Sequence, residues 1–140
     1  MKVVADTNVV VSGLLWIGKP GQLLEAAAYR RVTLYTSPQL VTELRATLSY
    51  ARLTKPIARS GLTVDELIAR YTNVAIVVEP TTVPRVIIQD ADDDHIIAAA
   101  VAAEADLIVS GDIHLLALGT HQGVRIVTPA EALNLIAPAG

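Results

Sequence analysis

Short runs of β-branched and aliphatic residues recur along this chain: KVVAD at 2–6, VTLYT at 32–36, VAIVVE at 74–79, DLIVS at 106–110 and RIVT at 125–128. Longer helical patterns lie between most of them, and this alternation constrains the fold more than any other feature. Strands separated by helices imply βαβ crossovers and hence an α/β fold with a mostly parallel sheet of five strands. Such a sheet is buried on both faces, which suits an apolar content of 52% made up almost entirely of Ala, Val, Leu and Ile, with no Phe and one Trp. At 140 residues the chain has the length of one ordinary domain, and a single domain over 1–140 is expected, without repeats or low-complexity tracts.

The helices have legible starts. One is expected over residues 21–31 after Pro20, one over 38–50 with Ser37 as N-cap and Pro38 in the first turn, and one over 64–71 behind Thr63. Thr63-Val-Asp-Glu66 and Thr128-Pro-Ala-Glu131 fit the capping box, in which hydroxyl and carboxylate satisfy free main-chain amides reciprocally. Residues 51–62, with Pro56 and Gly61, read as a break between two helices. A long helix opens at Asp90-Ala-Asp-Asp-Asp and continues HIIAAAVAAEA, its small residues permitting close approach to the sheet.

Composition narrows the function classes. The absence of cysteine excludes disulfides and thiolate metal sites and is compatible with a reducing cytoplasm, the expected location. MKVVADT lacks the apolar core of a signal peptide, and no stretch reaches the roughly 18 apolar residues of a membrane span. The net charge of −3 conceals segregation: residues 86–124 hold seven of the fourteen acids and no Lys or Arg. Residues 44–64 hold Arg45, Arg52, Lys55 and Arg59 and no acid, so an acidic pole and a basic, phosphate-binding arm are both available.

Four carboxylates stand where separate segments could meet. Asp6 and Asp112 each follow an aliphatic run and so fall at strand ends, the edge where open parallel sheets bind ligands. Asp94 precedes Ala98 and Val101 by helical intervals, which aims it toward the sheet, whereas Asp90, Asp92 and Asp93 are accounted for as helix-start acids. Glu43 flanks the stripe formed by Leu40, Leu44 and Leu48, a position that by periodicity alone is more often that of a solvated residue. Hard oxygen donors of this kind select magnesium or manganese.

Together VADTNVVVSGL, a Glu on the helix after the second strand, DDDHIIAAAVAAEADLIVSGD and a closing strand with TPAEAL resemble the PIN domain family, over about residues 2–133. The nearest likeness is to the toxin components of bacterial and archaeal toxin–antitoxin pairs, VapC-like ribonucleases. The resemblance implies a three-layer α/β/α fold with sheet order 3-2-1-4-5, which would bring Asp6 and Asp112 together and deliver Glu43 and Asp94 from flanking helices. It makes Asp6, Glu43, Asp94 and Asp112 the metal-binding and catalytic acids, with one or two Mg2+ or Mn2+ ions, and Asn8, Ser12 and Ser110 polar supports. It further implies an RNA substrate, a cognate antitoxin and a homodimer. One departure is His114, where many relatives carry another acid; His95 is left outside the site because neighbouring helical side chains diverge by about 100°.

Rival phosphoryl-transfer readings fit less well. A haloacid-dehalogenase-like phosphatase would carry a second Asp where Asn8 stands, a receiver domain needs a late Lys that the chain lacks after Lys55, and no phosphate-binding Gly-Lys loop occurs. The alternative from another class is a PIN-fold protein that binds or scaffolds without catalysis.

Overall fold

The computed structural model describes residues 1–81 and 91–136, the side chains of 91–93 excepted. Among these residues six strands form one sheet: β1 (Lys2–Ala5), β2 (Thr33–Thr36), β3 (Ala75–Val77), β4 (Leu107–Val109), β5 (Thr120–His121) and β6 (Val124–Val127). Their order is β3-β2-β1-β4-β6-β5, with every pairing parallel except β5 with β6. The five strands read from the sequence therefore keep the order 3-2-1-4-5, with β6 as the fifth. The added edge strand β5 is a two-residue arm joined to β6 through Gln122 and Gly123, both at positive φ, the twist a tight hairpin demands.

The helices are α1 (Thr7–Leu15), α2 (Lys19–Ala28), α3 (Pro38–Leu48), α4 (Thr54–Ser60), α5 (Val64–Val74), α6 (Ala91–Ala103), α7 (Ile113–Leu118) and α8 (Pro129–Leu135). Both expected capping boxes form, at Thr63 with Glu66 and at Thr128 with Glu131. Residues 51–62 depart from the expected break. They hold a 3-10 turn, Ala51–Leu53, followed directly by α4. Pro56 falls in the first turn of α4, where its missing N–H removes no helical hydrogen bond, and Gly61 ends the helix in the left-handed conformation.

Side chains alternate across the strands and divide the core into two layers. Val3, Ala5, Leu34, Leu107 and Val109 pack with Val10, Leu23, Leu67, Tyr71 and Ala132 from α1, α2, α5 and α8. Val4, Ile108 and Ile126 face the other way, onto Ile96, Ile97, Ala99 and Ala100 of α6 and Leu115 of α7. The result is an α/β/α sandwich. After β1 the chain builds outward through β2 and β3, then returns to lay β4 on the opposite side of β1. The β1/β4 seam is thus a topological switch point, and its carboxyl end is the default ligand edge. Among the described residues no helix is long and apolar enough to cross a membrane.

One glycine sets how closely α1 and α2 approach. A Cβ on Gly13 would lie 2.7 Å from Leu24 Cδ1 and 2.9 Å from the carbonyl oxygen of Pro20, and backbone cannot yield as a side-chain tip can. Gly13→Ala is expected to lower unfolding free energy by about 1–3 kcal/mol in urea titration, the usual cost of overpacking. An unchanged midpoint would contradict the close packing.

Candidate active site

The register of the central strands brings the first two acids together. Ala5 stands opposite Val109, so Asp6 and Ser110 are the next residues out, and the Asp6 amide donates to the Val109 carbonyl at 3.0 Å. Each strand leads through an aspartate into a helix. Asp6 caps α1, its Oδ1 accepting from the Val9 amide at 2.8 Å, and Asp112 caps α7, its Oδ1 accepting from the amides of His114 and Leu115 at 2.7 and 3.4 Å. Capping alone would account for either residue. It does not account for what joins them. The Ser110 hydroxyl donates to Asp6 Oδ2 while its oxygen accepts from the Asp112 amide at 2.9 Å, a polarised chain that fixes one acid relative to the other.

Asp6 is only 5% exposed. Burial pushes its carboxyl above the ordinary aspartate value, and the nearby Asp112 carboxylate pushes in the same direction. Hydrogen bonds from Ser110, Val9 and the Gly111 amide offset part of the rise. The charged form of Asp6 is thus held at a cost that a cation placed between the two acids would relieve.

Glu43 approaches from α3. Its Oε2 accepts from the Thr7 hydroxyl at 2.8 Å, which ties it to the residue next to Asp6. Thr7 lies within VADTNVVVSGL, but nothing in the periodicity singles out its hydroxyl. Asp94 is fully buried on α6, the helix that covers β1. Asn8 is exposed in the first turn of α1, Ser12 half-buried further along it. Asp90 and the side chains of Asp92 and Asp93 lie outside the described residues. His114 is exposed, and its main-chain amide serves Asp112. His95, set aside in the sequence, shares an open 460 Å³ cavity with Glu43.

The basic residues divide. Arg45 is joined to Asp65 in an exposed ion pair, whereas Arg52, Lys55 and Arg59 are exposed on the 3-10 turn and α4. Among the described residues no three His, Cys, Asp or Glu side chains form a group able to hold a metal ion together. Magnesium does not require such a cage. It is commonly held by one or two carboxylates, with waters and substrate phosphates completing the octahedron, and the Asp6–Asp112 pair offers that donor chemistry.

The family profile described as PIN domain matches residues 2–114, most of the chain, and spans Asp6, Glu43, Asp94 and Asp112. None of the curated proteins compared with the chain matches it.

Because the folded pKa of Asp6 is raised, its contribution to stability is fully present below the unfolded value, near 3.8, and is lost as pH rises through the folded value. Asp6→Asn, which keeps a capping oxygen, is therefore expected to unfold at higher urea than the parent at pH 7 in chelator, with the gap closing as pH falls toward 3.8. A variant no more stable than the parent at pH 7 would contradict the burial cost.

Proposed function

This chain belongs to the PIN domain family, whose members are typically nucleases, and on that footing we propose that it is a Mg2+- or Mn2+-dependent endoribonuclease. The observation that carries the reading is the Ser110 hydroxyl set between two aspartates at the ends of adjacent parallel strands. Asp6 and Asp112 would hold the ion, with Glu43 and Asp94 as the further acids. A divalent ion bound there supplies a lowered pKa for an attacking water and positive charge against the phosphodiester as negative charge builds on it.

The chain's own residues prepare that chemistry. Ser110 keeps the two aspartates in fixed relation, and the main-chain amides of Val9 and His114 orient their outer oxygens. Thr7 holds Glu43, so that one carboxylate oxygen is engaged at a defined distance from the neighbour of Asp6. Arg52, Lys55 and Arg59 are solvent-facing cations available to RNA phosphates. Water would attack in line with the departing 3′ oxygen and leave 5′-phosphate and 3′-hydroxyl ends.

The toxin role rests on the likeness to VapC-like proteins. A nuclease acting on cellular RNA needs restraint, which an antitoxin covering the acidic edge would supply, and a homodimer of this chain is part of the same reading. An antitoxin encoded beside the chain should co-purify with it and suppress cleavage. A binding or scaffolding module is the second reading, favoured by the fact that, among the described residues, no three acids group closely enough to hold an ion together.

One assay separates the readings. Cleavage of total RNA should require magnesium or manganese, stop in chelator, and fall by well over a hundredfold in Asp6→Asn and Asp94→Asn, with Ser110→Ala losing roughly 10–100-fold. Full activity in both Asn variants, or in chelator, would overturn the metal-nuclease assignment. Product ends carrying 2′,3′-cyclic phosphate would overturn hydrolysis by water.

A further inference from the structure

The cavity beside Glu43 has no part in holding the two aspartates. It runs along α3, is lined by Gln39, Thr42, Glu43 and Tyr50 on that side and by His95 from α6, and encloses 460 Å³. That volume falls within the range of about 300–1,000 Å³ typical of small-ligand sites. Its chemistry is mixed. The carboxylate of Glu43 disfavours a phosphate inside, whereas the Gln39 amide, the Thr42 hydroxyl and the His95 imidazole offer the donors and acceptors that a neutral heterocycle edge requires.

Tyr50 supplies what the sequence made scarce. The chain has four Tyr, one Trp and no Phe, and Tyr50 stands at this cavity, 52% exposed. The Arg52 guanidinium lies 5.5 Å from the centre of its ring, a cation–π contact that steadies the ring and puts a positive charge at the cavity rim. Glu43 connects this cavity to the aspartate pair, because the hydroxyl it accepts from belongs to the residue following Asp6.

Resting on the nuclease reading, we propose that this cavity seats a nucleobase of the RNA strand beside the phosphodiester being cut. Tyr50 stacks on the base, Gln39 and His95 hydrogen-bond its edge, and Arg52 meets the adjoining phosphate. An unpaired base can enter such a cavity and a stacked one cannot, so recognition falls on loops and single strands through a stacking contact that any base can make.

The test uses a short single-stranded oligoribonucleotide carrying 4-thiouridine, bound to the full chain in chelator so that no cleavage is needed. Irradiation should attach it to Tyr50 or to the end of α3 that leads to it. By fluorescence anisotropy, Tyr50→Ala and His95→Ala should each raise Kd roughly tenfold, the scale of one lost stacking or edge contact, while Tyr50→Phe binds like the parent. Crosslinks confined to other segments, or unchanged Kd in both Ala variants, would overturn the subsite. The two readings fail separately: crosslinks at Tyr50 with undiminished cleavage by Asp6→Asn would keep the base site and remove the metal-nuclease centre.

Discussion

Two like charges at the ends of neighbouring parallel strands are what the rest of this structure has to accommodate. Asp6 and Asp112 are brought to one edge because β1 and β4 pair directly, and the Ser110 hydroxyl is the group that links them. Each acid also starts a helix, so the same side chains that pay an electrostatic cost at the sheet edge satisfy free amides of α1 and α7. Burial of Asp6 raises its carboxyl pKa, with the repulsion from Asp112 adding to it, and the local hydrogen bonds compensate only in part. The charged pair is therefore held at a cost, which a divalent cation bound between the two acids would offset.

Much of this arrangement was legible in the chain, for reasons that differ by residue. The aliphatic runs before Asp6 and before Ser110-Gly-Asp112 mark strand ends without ambiguity, and the alternation of strand and helix marks the parallel sheet. The neighbourhood of β1 and β4 was not in the periodicity at all; it came with the PIN resemblance, and the sheet order carries it. Other features were hidden by competing local signals. Helix α1 is not among the helices expected from the sequence, since β-branched Val9, Val10 and Val11 are weak helix formers, yet the capping carboxylate of Asp6 starts a helix there and the core buries all three. Pro56 reads as a breaker, but in a first turn it is harmless. Gln122-Gly123 lacks the Asn-Gly signature of a tight hairpin although it adopts the same left-handed pair of φ angles.

The side chains that sequence reasoning passed over are those whose role depends on a distant partner. Thr7 matters through Glu43, thirty-six positions away, and His95 through a cavity whose other wall is α3. His95 was set aside because it diverges from Asp94 on the helix, and that divergence is what places the two in different settings: Asp94 fully buried on the helix that covers β1, His95 on the cavity beside Glu43. The basic stretch divides in the same way, Arg45 committed to Asp65 while Arg52 leans on Tyr50 at the cavity rim.

On the proposed reading the Asp6–Ser110–Asp112 linkage is a divalent-cation site. Calorimetric titration with Mn2+ at neutral pH tests it without RNA and without turnover. Saturable binding by the parent chain is expected, weakening at least tenfold in Asp6→Asn and in Asp112→Asn and less in Glu43→Gln. Equal Mn2+ affinity in the parent and both aspartate variants would contradict it.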